Sequence, residues 1–556
     1  MLKSKDLAEQ LQKQRREAEE KDAQRRAEKY GLDYLNLISA KVPSEIKAMM
    51  LVPEEEARVA LLVPLQLVRK TLIVAAFDPI EPRAKKIIEE LKKKYEVKVV
   101  VGSLSGLKHA WDYYQYIVPL KDISGSVNID EAKLHETQSI IKCLDDLTKS
   151  IQDFKGPYTS QILEIILSGA MALGASDIHL EPTEKAGDLR LRIDGLLHTV
   201  FSEFNRTVYK SVITRVKLLS NLKLNLQNQP QDGRFTISLK DRSIEIRTSL
   251  IPSEYGETAV LRLLDPASLK VNLEDLGWRA DDLAIVEKEI KKPNGLILNT
   301  GPTGSGKTTT LYAFLKRVTR PEIKIITVED PIEYHLPGIS QTQVDPGAGY
   351  TFASGLRSIL RQDPNVILVG EIRDKETAEI ALNASLTGHI VFSTLHTNDA
   401  VGAIPRLLDL EIQTNILGPA LNLIIAQRLV RRLCPECRTR KKTDAGLEDK
   451  IRKFIAALPA RVKKSDYGKY EIFEAKGCDK CGRLGYRGRT SIFELLLIDE
   501  EIEAAIYQNP TEIQLKNLAG KQGMVTMQED GLLKIFAGVT SFEEVERLTG
   551  QIVWPA

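Results

Sequence analysis

Short apolar runs separated by polar, turn-rich stretches set the plan of this chain. Residues 1–29 alternate charge signs with few apolar positions, the pattern of a solvated charged helical tail. The runs at 72–76 (LIVAA) and 97–101 (VKVVV) read as strands, and 82–95 between them reads as a helix. Together they predict a small α/β domain over 30–118, followed by a polar linker over 119–155. A helix-forming segment at 159–173 opens the next domain, 156–270. Strand signals follow at 189–193, 235–239, 243–249 and 258–264, punctuated by Asp194-Gly195, Asp232-Gly233 and Tyr255-Gly256. That is the pattern of an α+β domain with an antiparallel sheet. Over 271–433 the strands at 295–299, 323–328, 366–369 and 389–393 alternate with helical segments, which implies a parallel sheet covered by helices. A cysteine-bearing module at 434–482 and a helical region at 483–556 complete the chain.

Length agrees with several domains, since 556 residues exceed the roughly 150 expected of one. Apolar residues at 43% and charged residues at 28% fit a globular protein. The 78 basic residues nearly balance 76 acidic ones, so a net charge of +2 gives no support to nucleic-acid binding. The most apolar helical stretch, 162–175, contains Glu164 and is shorter than the ~20 residues of a bilayer span. The N-terminus has no apolar signal-peptide core, so the chain is expected to stay on the cytoplasmic side and to meet a membrane only through partners.

The strand at 295–300 runs directly into GPTGSGKTTT, followed by the helix former LYAFLKRV. Gly301, Pro302, Thr303, Gly304, Ser305, Gly306, Lys307, Thr308 and Thr309 fill the phosphate-loop pattern completely. The three glycines let successive N–H groups face one anion, and the helix adds its positive end. Lys307 offers charge to the β- and γ-phosphates, and Thr308 a hydroxyl to Mg²⁺. Hydrolysis also needs carboxylates for water and metal. Glu329-Asp330-Pro331-Ile332-Glu333 and Gly370-Glu371 each follow a predicted parallel strand, at the end where such sheets place ligands.

Four of the five cysteines form two pairs, Cys434/Cys437 and Cys478/Cys481, and Cys143 stands alone. The pairs predict a closed, structural Zn²⁺ site. The basic residues around them, Arg428 and Arg431 included, read as a solvated or partner-facing surface.

The order of phosphate loop, VEDPIEY, ILRQDPNVILVGEIRD and GHIVFSTLHTNDA resembles the secretion ATPases of type II secretion and type IV pilus assembly, the GspE/PilB family. The resemblance extends from about residue 30 to the end, through ASDIHLEP (175–182), QPQDGRF (229–235) and RTSLIPSEYGETAVLRLL (247–264). It implies a RecA-like ATPase domain behind a PAS-like α+β domain, in a homo-hexameric motor powered by ATP. By position it makes Glu333 the water-activating carboxylate, supported by Glu329 and Asp330, and Glu371 the acid acting on Mg²⁺. His389 and His396 match the family's histidine box, suited to sensing phosphate or a neighbouring subunit. Arg247 and Arg262 align with arginines aimed at the phosphates of an adjacent subunit, and Arg234 is a weaker candidate. The implied partners are an inner-membrane platform protein and its cytoplasmic adaptor, with no nucleic acid and no direct membrane insertion. The Arg-Leu-Gly motif by which some relatives bind cyclic di-GMP is not found at 29–37, which reads KYGLDYLNL. Two alternatives stay open on sequence: a nucleic-acid-translocating P-loop motor, and a nucleotide-binding scaffold without turnover.

Overall fold

The computed structural model describes residues 2–38, 46–68, 70–116, 126–128, 137, 139–154, 159–239, 242–265 and 271–555. The chain divides into two compact units, Met1–Leu264 and Asp265–Ala556.

The first unit begins with a helix, Leu2–Tyr30. Its last turns are docked rather than simply solvated. Glu20 accepts hydrogen bonds from Ser103 (2.6 Å) and from the Tyr34 hydroxyl, and the Arg26 guanidinium lies 3.7 Å over the Phe77 ring. The small α/β domain is a sheet of β1 (Asp33–Tyr34), β2 (Leu62–Val68), β3 (Thr71–Ala76) and β4 (Glu96–Val101) in the order β1-β4-β3-β2. The expected helix, Pro82–Lys92, crosses between the parallel strands β3 and β4, capped by the Glu81 carboxylate with proline in its first turn.

A seven-stranded sheet forms the rest of this unit. It comprises β5 (Ser126–Asn128), β6 (Ala175–Pro182), β7 (Gly187–Ile193), β8 (Leu196–Phe201), β9 (Gln231–Ser238), β10 (Ser243–Ser253) and β11 (Gly256–Leu264). Their order is β5-β9-β10-β11-β6-β7-β8, antiparallel except where β5 joins β9. Two expectations differ from this. The stretch read as linker contributes β5 and a helix, Leu144–Gln152, with Leu147 and Ile151 buried; 119–125, 129–136, 138 and 155 lie outside the described residues. Asp232-Gly233 is no turn but lies inside β9. A side chain at Gly233 would meet the Ser220 carbonyl at 2.5 Å, so this glycine serves close packing of the strand on a helix end.

The second unit is built on another seven-stranded sheet. Its strands are β12 (Gly295–Thr300), β13 (Ile325–Glu329), β14 (Ser340–Gln343), β15 (Val366–Val369), β16 (Ile390–Leu395) and β17 (Leu421–Leu433). A two-stranded ribbon, β18 (Thr439–Arg440) and β19 (Phe473–Glu474), precedes the last, β20 (Tyr486–Leu497). The main order is β14-β13-β15-β16-β12-β17-β20, parallel except for the final β17/β20 pair. The central strands are buried on both faces, which is why they read as mostly apolar runs without strict alternation. One face packs on the helix Lys307–Val318; the other packs on Lys375–Leu386 and the C-terminal helices. The region 483–556, read as helical, therefore opens with a twelve-residue strand before its four helices.

Candidate functional site

Strand register places the expected residues. Thr300 pairs with Leu395, Val369 with Ser393, and Val328 with Val369. Consequently Gly301, Asp330, Glu371 and His396 all emerge at one edge of the sheet, the C-terminal ends of parallel strands. His389 does not join them. It precedes Ile390, which pairs with Gly295, so it sits at the opposite edge, about 17 Å of strand away. There its Nδ1 lies 3.0 Å from the Ala384 carbonyl oxygen, and its own carbonyl accepts from the Gly295 N–H. The structure thus separates the two histidines that sequence reading had paired.

The phosphate loop leaves β12 at Gly301 and enters the helix at Gly306, with φ of 149° and 91°. A side chain at Gly301 would strike the Gln427 carbonyl oxygen at 2.5 Å, whereas one at Gly304 would meet nothing within 4 Å. The loop is therefore pressed against β17 on one side and open on the other. Lys307 donates to the carbonyls of Gly301 (2.7 Å) and Pro302 (3.1 Å). Burial pushes its ammonium down to about 8; Glu371 opposes this and Arg428 adds to it. The Ser305 hydroxyl is buried without a hydrogen-bond partner among the described residues. A buried, unsatisfied donor beside open N–H groups is what a phosphate oxygen would satisfy, so the loop fits ATP.

Beside it, Glu371 pairs with Arg373 and stands 3.5 Å from His396 Nε2. Burial, reinforced by the charge of Lys307, holds the His396 imidazole below its ordinary range, with Glu371 acting against this. Thr308 is exposed on the first turn of the helix.

The acidic box is tied to the same helix. Tyr312 donates to Glu329 and also meets the backbone of Glu333. Glu329, 3% exposed, further accepts from the Thr327 hydroxyl and from Gln341 at 3.1 Å. Its oxygens are thus occupied by protein donors, which suits support rather than direct contact with nucleotide.

Sequence reading missed the second ring of this site. Gln427 accepts at 2.8 Å from both Asn299 and Thr310 and donates to Ser491 at 3.0 Å, clamping the strand and helix on either side of the loop. Thr397 is 2.7 Å from the Thr300 hydroxyl. Arg428 donates to Asn398 at 3.3 Å, and desolvation lowers its pKa. It belongs to the phosphate-loop neighbourhood and not to the surface around the cysteines. Arg431, likewise read as surface, is internal: it pairs with Glu544 at 2.6 Å and lies 3.9 Å over the Tyr486 ring. Only a buried tyrosine or glutamine inside an apolar run, which must find a partner, could have signalled Tyr312 and Gln427.

On the outer face of the first unit's larger sheet, Arg247 pairs in register with Arg262, whose Nε donates to Asp177 at 2.9 Å. Arg247 Nε is 3.2 Å from Glu245.

The four cysteines converge, with all Sγ atoms within 4.8 Å of one another. Cys434–Cys478, Cys437–Cys481 and Cys478–Cys481 are separated by 3.9, 3.8 and 3.8 Å. Thiolates at ~2.3 Å from one tetrahedral Zn²⁺ stand about 3.8 Å apart, so the donor set fits that ion. The N–H groups of Gly477, Cys478 and Gly485 point at Cys437 and Cys481 from 3.2–3.3 Å, a fixed positive lining for thiolate charge. The insert between the knuckles is not a loose flap. Its helix Ala445–Ala457 buries Ile451 and Phe454 in the main core.

A phosphate loop joining strand and helix at the ligand edge of a parallel sheet, with carboxylates at the same edge after β13 and β15, is the site of a P-loop ATPase. The model of the "Type II/IV secretion system protein" family matches residues 152–547, and the MshEN domain matches 30–117. This chain belongs to the Type II/IV secretion system protein family. It is 38% identical to "Type IV pilus assembly ATPase PilB" of Myxococcus xanthus over 525 residues, 93% of this chain and 89% of the relative. It is 46% identical to "Type II secretion system protein E" of Dickeya dadantii over 389 residues, 70% of this chain and 75% of the relative. Among solved structures, the Legionella pneumophila ATPase DotB is similar in fold, with a TM-score of 0.51 and 21% identity over 71% of this chain and 97% of that one. Among the described residues no helix is long and apolar enough to cross a membrane.

Proposed function

We propose that this ATPase works as a homo-hexamer that drives assembly of a type IV pilus or a type II secretion pseudopilus. It would act from the cytoplasmic side on an inner-membrane platform protein and its cytoplasmic adaptor. The observation that carries the reading is the shared sheet edge at which the phosphate loop, the acidic box and Glu371 emerge, in a chain similar to a pilus assembly ATPase over 93% of its length.

In this reading the loop N–H groups and Lys307 hold the β- and γ-phosphates. Thr308 and Glu371 would hold Mg²⁺, which would supply positive charge beside the phosphates. Glu333 orients the attacking water and takes its proton. Glu329, fixed by Tyr312, and Asp330 keep the acidic box in place. His396, beside Glu371, senses the occupied site. Arg247 and Arg262 reach the nucleotide of an adjacent subunit, so that hydrolysis waits for domain closure and chemistry becomes motion. The four cysteines hold a structural Zn²⁺.

Glu333→Ala should bind ATP as the wild type does and lose turnover by about a hundredfold or more, the scale of a lost general base. Steady-state phosphate release together with nucleotide titration measures both, and unchanged turnover would remove Glu333 from its role.

A further inference from the structure

Five residues form one row across the outer face of the larger sheet in the first unit. Arg234 lies opposite Arg247, Arg247 opposite Arg262, Arg262 opposite Asp177, and Asp177 opposite Arg192. Side chains directly opposed across antiparallel strands stand ~4.5–5.5 Å apart at their Cβ atoms, and like charges so placed repel. Four arginines in such a row need anions.

The sheet supplies only part of them. Asp177 takes Arg262 at 2.9 Å and Arg192 at 3.5 Å, and Glu245 takes Arg247 at 3.2 Å. Arg234 is exposed and has no carboxylate within ion-pair distance among the described residues. Arg234 stands at the end of the row, directly opposite Arg247. The sheet's arginines are thus unequal. Arg262 is oriented by a carboxylate of its own fold, whereas Arg234 is the one whose anion has to come from outside.

We propose that Arg234 is a third phosphate-binding arginine, contacting the triphosphate held by a neighbouring copy of the chain together with Arg247 and Arg262. The inference rests on the reading above that this face meets a neighbour's nucleotide. A nucleoside triphosphate carries several negative charges on adjacent phosphate groups, and a row of guanidinium forks matches that spread geometrically. Because ATP is anchored by the neighbour's own loop, the contribution of Arg234 falls on turnover more than on binding.

Arg234→Ala should melt with the wild type, because an exposed side chain without a partner is removed. Its kcat should drop at least about tenfold, a modest share of what arginine fingers give, with KM for ATP nearly unchanged. Arg234→Lys should recover part of the loss. Mixing Arg234→Ala with Glu333→Ala subunits should restore turnover, because some interfaces then pair an intact Arg234 with a neighbour's intact Glu333. Wild-type turnover in Arg234→Ala would overturn the proposal, as would a mixture that stays inactive. If Arg247→Ala loses turnover while Arg234→Ala keeps it, the third arginine fails alone. If Glu333→Ala keeps turnover, the failure belongs to the proposed site.

Discussion

Lys307 stands between two demands, to be charged for phosphate and to be buried in a closed loop. Desolvation answers the second and brings its pKa down to about 8. The unfolded chain, with an ordinary lysine near 10.5, therefore binds more protons than the folded one between those values, and stability rises with pH across that window. A bound triphosphate restores a partner for the ammonium and draws its pKa back up. ATP binding near pH 8.5 should accordingly take up a fraction of a proton. Calorimetry in buffers of different ionisation enthalpy reads this directly, and a binding enthalpy that does not vary with buffer would contradict it. The same residue-scale logic separates the histidines. His396 feels Lys307 and Glu371, while His389 serves the far edge of the sheet.

Among the elements, β17 and β20 do most to hold the site together, and they were the hardest to read. They pair along almost their whole length, and the cysteine knuckles close the insert between them. Metal analysis should find one zinc per chain, and Cys437→Ser should lower that content together with the melting temperature. Retention of full zinc and stability in the variant would exclude the site. The parallel strands β12, β13, β15 and β16 were legible because burial on both faces leaves short runs dominated by Val, Ile and Leu. β17 carries Gln427, Arg428, Arg431 and Arg432 within its apolar pattern, and that mixture reads as surface until the partners of the polar residues are seen. Gln427 bonds to the loop elements and Arg431 to Glu544, contacts with residues more than a hundred positions away that no local window contains. The phosphate loop and the cysteines were legible for the opposite reason, since their chemistry is set by short fixed spacings.

At the scale of the molecule, the second unit is closed by long-range charge. Glu544, on the helix Phe542–Thr549, accepts from the Arg431 N–H at 3.0 Å, from its guanidinium at 2.6 Å and from Arg547 at 2.9 Å. Burial alone would raise this carboxyl, but the hydrogen bonds from Arg547 and Arg431 hold it down to about 2. Removing one partner of such a buried pair leaves the other uncompensated, so Glu544→Gln should cost about 3 kcal/mol near neutral pH. The depressed pKa makes this stabilisation complete above the ordinary carboxylate value of 4.5 and lost progressively toward about 2. Denaturant melts of wild type and variant should thus converge as pH falls through that range, and a gap that stays constant would refute the assignment.

The clamp at Gln427 fixes how this chain can change in length. Gln427 touches the phosphate loop's flanking elements, and Cys434 opens the metal knuckle a short run of the same strand later. A single residue gained or lost between them would turn every following side chain of β17 to the other face of the sheet and carry the cysteine out of reach of its three companions. The insert between Cys437 and Cys478 is held where its helix Ala445–Ala457 docks on the core, so length variation belongs in its exposed turns. The stretch 428–433 behaves as a ruler, holding the nucleotide end and the metal end of the domain at one set spacing.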